Sequence, residues 1–224
     1  NPPHDWEFFR AIDFGYTNPA VCQWWTRPPA ESGEGSKDHI WYMFREIFHS
    51  QLTTEQFAQQ INQHTPEWMR IQTTFADWDA GDRATLEHAG IITRRANKAI
   101  SPGIQTVYGL LPNLRFFEGA TISRDEVLAS HGSPTSTIGE FMAYVWPPPS
   151  KDHPDKETPL DLNNNGMDAM RYLFHTLEAS KGWTQTRYGV ARPEDSFAIS
   201  SRTRFGQTGS VFGAFGQFGK GWRP

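Results

Sequence analysis

Two short apolar runs, each ending in an aspartate, constrain this chain more than anything else in it. Residues 8–12 (Phe-Phe-Arg-Ala-Ile) run into Asp13-Phe14-Gly15, and residues 71–76 run into Asp77-Trp78-Asp79-Ala80-Gly81. Runs this short, bounded at once by turn residues, suit buried strands rather than helices. An aspartate at the end of a buried strand is costly to desolvate alone, so it calls for a hydrogen-bonded cap, a basic partner or a metal ion. Taken singly, Asp13 reads as a strand-end cap or turn residue, with metal ligation as the alternative.

The order of the remaining elements extends the pattern. Residues 20–26 and 40–48 read as second and third strands, and the Pro- and Gly-containing stretch 27–38 between them reads as a long hairpin loop. Thr53 and Gln56 have capping-box spacing before a helix over 53–64, with Leu52 and Phe57 as its staple and Phe57 and Ile61 on its buried stripe. After the second aspartate run, Asp82 is the expected cap of a short helix closed by Gly90, and residues 91–94 form a small strand. Ser101-Pro102 starts a helix with Ile104, Val107 and Leu111 inward, and residues 114–117 form another strand. Ser123 and Glu126 repeat the capping spacing. Ile138, Phe141, Met142 and Val145 mark a helix stopped at Pro147-Pro148-Pro149, and the charged segment 150–159 reads as a mobile loop. Asn163-Asn164-Asn165-Gly166 supplies turn and cap chemistry for a last helix that Asp168 opens, with Met170, Leu173, Phe174 and Leu177 as its stripe.

Three antiparallel strands followed by alternating strands and helices predict a mixed α/β sheet of five or six strands with helices on both faces, the ribonuclease H plan. In that plan the first and fourth strands are neighbours, which sets Asp13 beside Asp77. Asp168, at a helix start, is the third carboxylate delivered to an edge. Convergent aspartates repel unless cations lie between them, and hard oxygen ligands select Mg²⁺ or Mn²⁺, as in two-metal phosphodiester cleavage. Each has a structural alternative: a strand-end turn for Asp13, an Asx-turn for Asp77 and a helix cap for Asp168.

Composition limits the partners. The net charge of -4 supplies no global basic field, so nucleic acid must be met by a local patch, of which Arg94, Arg95 and Lys98 form the best. A solvated charge run is the plain alternative for these three. The single cysteine, Cys22, excludes an intrachain disulfide and suits a cytosolic setting. No apolar run is long enough to cross a bilayer. Beyond residue 180 the composition turns to Gly, Phe, Arg and Ser, with Phe205, Phe212, Phe215 and Phe218 set among glycines. The expected division is therefore a domain over 1–180 and a tail over 181–224 that packs on the domain or docks a partner.

Four segments together resemble a known family: residues 11–20 (AIDFGYTNPA), 75–80 (FADWDA), 98–104 (KAISPGI) and 163–173 (NNNGMDAMRYL). They are similar to the C-terminal nuclease domain of the large terminase subunit of tailed bacteriophages, over about residues 8–177. The resemblance implies a ribonuclease H-like fold and a metal-dependent endonuclease that cuts concatemeric viral DNA during packaging. It places the family's metal-binding carboxylates on Asp13, Asp77 and Asp168, with Asp79 as a possible outer ligand whose alternative is an ordinary turn role. Many relatives carry histidine where this chain has Asn165, so a proton shuttle is not expected there. Arg171, one turn from Asp168, is expected to neutralise the carboxylates when metal is absent, and His175 reads as a solvated surface residue.

No Walker-type sequence occurs, so the ATPase domain that precedes the nuclease in the family is expected to lie outside this chain. The opening Asn1-Pro2-Pro3, without methionine, reads as a linker remnant of something longer. The resemblance further implies double-stranded DNA, a portal and a small terminase subunit as partners, no membrane, and action in the host cytoplasm. Two alternatives stand beside it: a resolvase or transposase with the same fold, and a non-catalytic module that docks a capsid portal.

Overall fold

A computed structural model describes residues 2–29, 40–77, 79–147 and 158–180, all within one compact unit. Most of the hairpin loop, nearly all of the 150–159 segment and the whole tail from 181 onward lie outside the described residues.

The architecture is a six-stranded mixed sheet. Strands β1 (Glu7–Asp13), β2 (Ala20–Arg27) and β3 (Trp41–His49) are antiparallel neighbours. Strand β4 (Ile71–Ala76) lies parallel to β1, and β5 (Arg94–Arg95) lies parallel to β4. Strand β6 (Leu114–Phe116) pairs in parallel with β3 at the other edge, giving the order β5-β4-β1-β2-β3-β6. The helices are α1 (Thr54–Gln63), α2 (Ala80–His88), α3 (Ile100–Leu110), α4 (Glu126–Ser130), α5 (Thr137–Ala143) and α6 (Asn165–Ser180).

Side chains alternate across a sheet with period two, and this divides the core into two layers. Phe8, Ile12, Cys22, Trp24 and Ile47 pack with Phe57, Ile61 and Leu86 from α1 and α2. Phe9, Ala11, Val21, Trp25 and Met43 point to the opposite face and pack with Met170, Leu173 and Phe174 of α6. Phe174 meets Trp25 and Trp41 edge-on, with ring centroids 4.9 and 5.3 Å away. Each such buried aromatic or aliphatic side chain stabilises the layer by about 1.5–3 kcal/mol, which fixes α6 against the sheet. Asp13 shares its face with Phe9 and Ala11, so the parity of β1 aims it at the α6 layer.

The expected strands are present, with the fourth beside the first, except that the small strand expected over 91–94 is displaced to Arg94–Arg95, the residues that pair with Phe75 and Ala76 of β4. Several helix details differ from the sequence reading. Helix α2 is capped by Asp79, whose Oδ1 accepts from the N–H groups of Gly81 and Asp82, so Asp82 sits in the first turn instead of capping it. Helix α4 is capped by the fully buried Asp125, which accepts from Val127 and Leu128 and also from Ser50, in place of the Ser123–Glu126 box. Helix α3 buries Gly103, Val107 and Leu110, while Leu111 falls after its end. The largest departure is α5. Its expected apolar stripe faces solvent at Ile138 and Met142, and its buried residues are Thr137 and Glu140. A polar face turned inward requires polar partners there, and these lie at the start of α6.

Candidate active site

The register Ile12↔Ala76 and the hydrogen bond from Asp77 N to Ile12 O (3.3 Å) bring the ends of β1 and β4 together. Gly15 makes the turn after β1 possible, because a Cβ there would lie 2.7 Å from Pro19 O and still closer to Asn18 O. On the α6 side the first turn carries Asp168. The charges of Asp77 and Asp168 both act on Asp13, so the three carboxylates form one electrostatic cluster.

Asp13 is the buried member, 8% exposed. Burial raises its carboxyl well above the usual range, the charges of Asp168 and Asp77 raise it further, and hydrogen bonds from Asn165 and Tyr172 oppose the shift. Asn165 Nδ2 donates to Asp13 Oδ2 (3.2 Å), which orients the carboxylate without offering a proton shuttle. Asp168 is also raised, chiefly by burial, and Arg171 counters this. Arg171 Nη2 lies 2.8 Å from Asp168 Oδ1, and its Nη1 donates to Lys98 O (2.7 Å) and Ala99 O (3.2 Å). Gly103 in α3 makes room for that guanidinium stem, since a Cβ there would sit 2.6 Å from Arg171 Cγ. Lys98 Nζ donates to Asp77 Oδ2 at 2.8 Å.

The structure thus brings Asp13, Asp77, Asp168, Asn165, Arg171 and Lys98 to one end of the sheet. Lys98, expected with Arg94 and Arg95 on a basic patch, is turned to Asp77. Arg94 and Arg95 are exposed on the edge strand β5. Asp79 spends Oδ1 on the α2 cap, its turn alternative. His175 is not a solvated surface residue: it is half-buried, its Nδ1 lies 3.2 Å from Thr106 Oγ1, and burial together with Arg171 lowers its pKa.

Two groups escaped the sequence reading. Tyr172 is 2% exposed and lies four residues after Asp168 on the same helix face, a spacing that could have flagged it. Burial and the surrounding carboxylates drive its pKa upward, so its hydroxyl stays protonated as a donor to Asp13. Glu140 is the other, and no local spacing signals it. Its Oε1 accepts from Asn165 N (3.0 Å), and its Oε2 accepts from Gly166 N (2.7 Å) and Met167 N (3.1 Å).

Among the described residues no three His, Cys, Asp or Glu side chains are closed into a ready metal-ligand set. The donor chemistry nevertheless fits hard divalent cations, since the converging groups are carboxylates and Asp13 is raised by its neighbours' charge. Lys98 and Arg171 supply positive charge to the cluster through their ion pairs with Asp77 and Asp168. Among the described residues no helix is long and apolar enough to cross a membrane.

Neither a protein-family model nor a curated protein sequence matches the chain. Solved structures do. The large terminase from a thermophilic bacteriophage superposes with a TM-score of 0.60 at 20% identity, covering 79% of this chain and 41% of that one. Its complex with ADP gives a TM-score of 0.62 at 19% identity, with 79% and 40% covered. The P22 large terminase nuclease domain gives 0.54 at 15% identity, covering 80% of this chain and 84% of that one. The fold is ribonuclease H-like. The chain spans about two-fifths of the length of the larger of these relatives, and at such identities the likeness speaks for the fold alone.

Proposed function

We propose that this chain is a divalent-cation-dependent endonuclease that cleaves concatemeric viral double-stranded DNA during genome packaging. The observation that carries the reading is that the ends of β1 and β4 and the first turn of α6 bring Asp13, Asp77 and Asp168 near enough for the charges of Asp77 and Asp168 to act on Asp13. Structural carboxylates are ordinarily placed apart, because convergence raises the cost of ionising each. The likeness to terminase structures, one of them a nuclease domain, supports the same reading.

Asp13, Asp77 and Asp168 would be the residues that hold the divalent cations. Mg²⁺ or Mn²⁺, when bound, would supply charge to the scissile phosphate and lower the pKa of an attacking water. The chain's own residues do the rest. Asn165 and Tyr172 hold the Asp13 carboxylate in one orientation, and Arg171 frames Asp168. Lys98, whose Nζ donates to Asp77 Oδ2, would place a positive charge beside the carboxylates where a phosphate could meet it. Arg94 and Arg95, on the exposed edge, would contact the DNA backbone, which positions a duplex without reading its sequence. In this reading the ATPase domain, portal and small terminase subunit are partners, the host cytoplasm is the setting, and the tail over 181–224 docks a partner or the domain.

The test is nicking of supercoiled plasmid in Mn²⁺. Wild type should cut with little sequence preference, and Asp13→Ala should not cut. Undiminished cleavage by that variant sinks the proposal. Cleavage confined to branched DNA or to defined ends would transfer the reading to a resolvase or transposase.

A further inference from the structure

We propose that Glu140 is a positioning residue of the carboxylate site, fixing the first turn of α6 so that Asp168 and Asn165 meet Asp13. This rests on the metal-site reading above and adds a residue from an element that does not reach the site.

The need for it arises at the start of α6. The first intrahelical hydrogen bond runs from Asp168 N to Asn164 O (2.7 Å), which makes Asn164 the capping position. The N–H groups of Asn165, Gly166 and Met167 then have no acceptor within the helix. A capping asparagine would normally supply a side-chain oxygen, but Asn164 Nδ2 donates to Asp161 Oδ1 (3.2 Å). All three orphan donors instead converge on Glu140, 25 to 27 residues earlier in sequence and on a different helix.

Glu140 is itself anchored by its surroundings. It is 1% exposed, and it sits on α5 three residues after Thr137. Thr137 Oγ1 donates to Glu46 Oε2 (2.7 Å) and accepts from Gln23 Nε2 (2.7 Å). The same Gln23 Nε2 donates to Gly166 O (2.8 Å), and Gln23 Oε1 accepts from Trp25 Nε1 (2.9 Å). The first turn of α6 is therefore tied by its N–H groups to α5 and by a carbonyl to the middle of the sheet. Asn165, one of the residues whose N–H Glu140 holds, is the residue that orients Asp13. Asp168 follows Met167 directly. A carboxylate pulled onto three N–H groups locks both the depth and the rotation of this turn, which a solvent-exposed cap would leave free. The inward polar face of α5 has its explanation here.

The experiment compares Glu140→Gln with Asp125→Asn in the full chain. Asp125 is also a buried capping carboxylate, but it serves α4, outside the cluster. Mn²⁺ binding is measured by calorimetry, and unfolding midpoints and far-UV circular dichroism are recorded alongside. Glutamine keeps the length but presents an NH₂ group to the donors, so the turn should shift. Glu140→Gln should weaken Mn²⁺ binding by about 10–100-fold, the range for losing a group that orients a ligand, with helix content retained. Asp125→Asn should lower the midpoint and leave Mn²⁺ binding unchanged. If Glu140→Gln does not fold, Glu140→Asp, one methylene short of the three N–H groups, is read in its place. Equal Mn²⁺ affinity in the Glu140 variant and wild type overturns the inference, as does an equal loss in both variants. Absence of Mn²⁺ binding by wild type overturns the metal-site reading, and the positioning role with it.

Discussion

Gly166→Ala tests the contact between α5 and α6 most directly, because helix propensity and tertiary packing predict opposite signs. A Cβ at position 166 would lie 2.9 Å from Thr137 Cβ and 3.0 Å from Glu140 Oε2, and closer still to Thr137 Oγ1. Carbon atoms pack at about 3.5–4.0 Å, so the first turn of α6 must retreat by roughly 1 Å. Asn165 N and Met167 N stand 3.0 and 3.1 Å from the Glu140 carboxylate. The retreat takes both beyond hydrogen-bonding range. Two bonds to an ionised acceptor are worth about 1.5–3 kcal/mol each, and alanine returns about 1 kcal/mol of helix propensity. The net loss is about 2–5 kcal/mol. For a domain of this size the unfolding midpoint should fall by roughly 10 °C. Thermal and urea unfolding of metal-free protein at about pH 9, where Glu140 is mostly ionised, reads this. An unchanged or raised midpoint would show that Gly166 costs only propensity, and would refute the account of how α6 is anchored.

Asp13→Asn should stabilise the metal-free protein while abolishing cleavage, because burial and two neighbouring carboxylates disfavour its charge; a lowered midpoint in differential scanning calorimetry would contradict the electrostatic reading. Arg171→Met should destabilise by about 3–5 kcal/mol, since a 4% exposed guanidinium leaves Asp168 without its charge partner; a denaturant midpoint within error of wild type would count against it. Stability should also depend on pH with a definite sign. Burial pushes Glu140 up to about 8 and raises Asp13, Glu46 and Asp168 as well. The folded state holds these protons more tightly than the unfolded chain. Their contribution is full below the ordinary carboxylate range and is lost as pH rises through the folded values. Unfolding free energy of metal-free protein should therefore decline from about pH 5 to pH 8, by up to about 1.4 kcal/mol per pH unit for each titrating group. Urea titrations across that range should show a flatter upper slope for Glu140→Gln, and a slope of the opposite sign in wild type would exclude the shift.

The sequence by itself determined the strands, their order and the carboxylates that end them. Short apolar runs at residues 8–12 and 71–76 specify buried strands, and turn chemistry at Gly15 and Gly81 specifies where they stop. The α6 stripe of Met170, Leu173, Phe174 and Leu177 is equally local, because a 3.6-residue repeat needs no distant partner to be recognised. Local caps were legible where they were self-contained, as in the Thr53–Gln56 box.

Only the tertiary structure decided which face α5 buries, what caps α6 and where the cations go. Glu140 reaches its three N–H partners 25 to 27 residues away in sequence, and nothing in the spacing of α5 announces a polar face turned inward. Lys98 reads as part of a basic run with Arg94 and Arg95, yet it is directed to Asp77 because the register of β4 and β5 brings them together. Propensity and periodicity are short-range properties of the chain. Satisfying a buried N–H group or a buried charge depends on whatever the fold carries to within about 3 Å of it, and that is settled only when the sheet and its helices have closed.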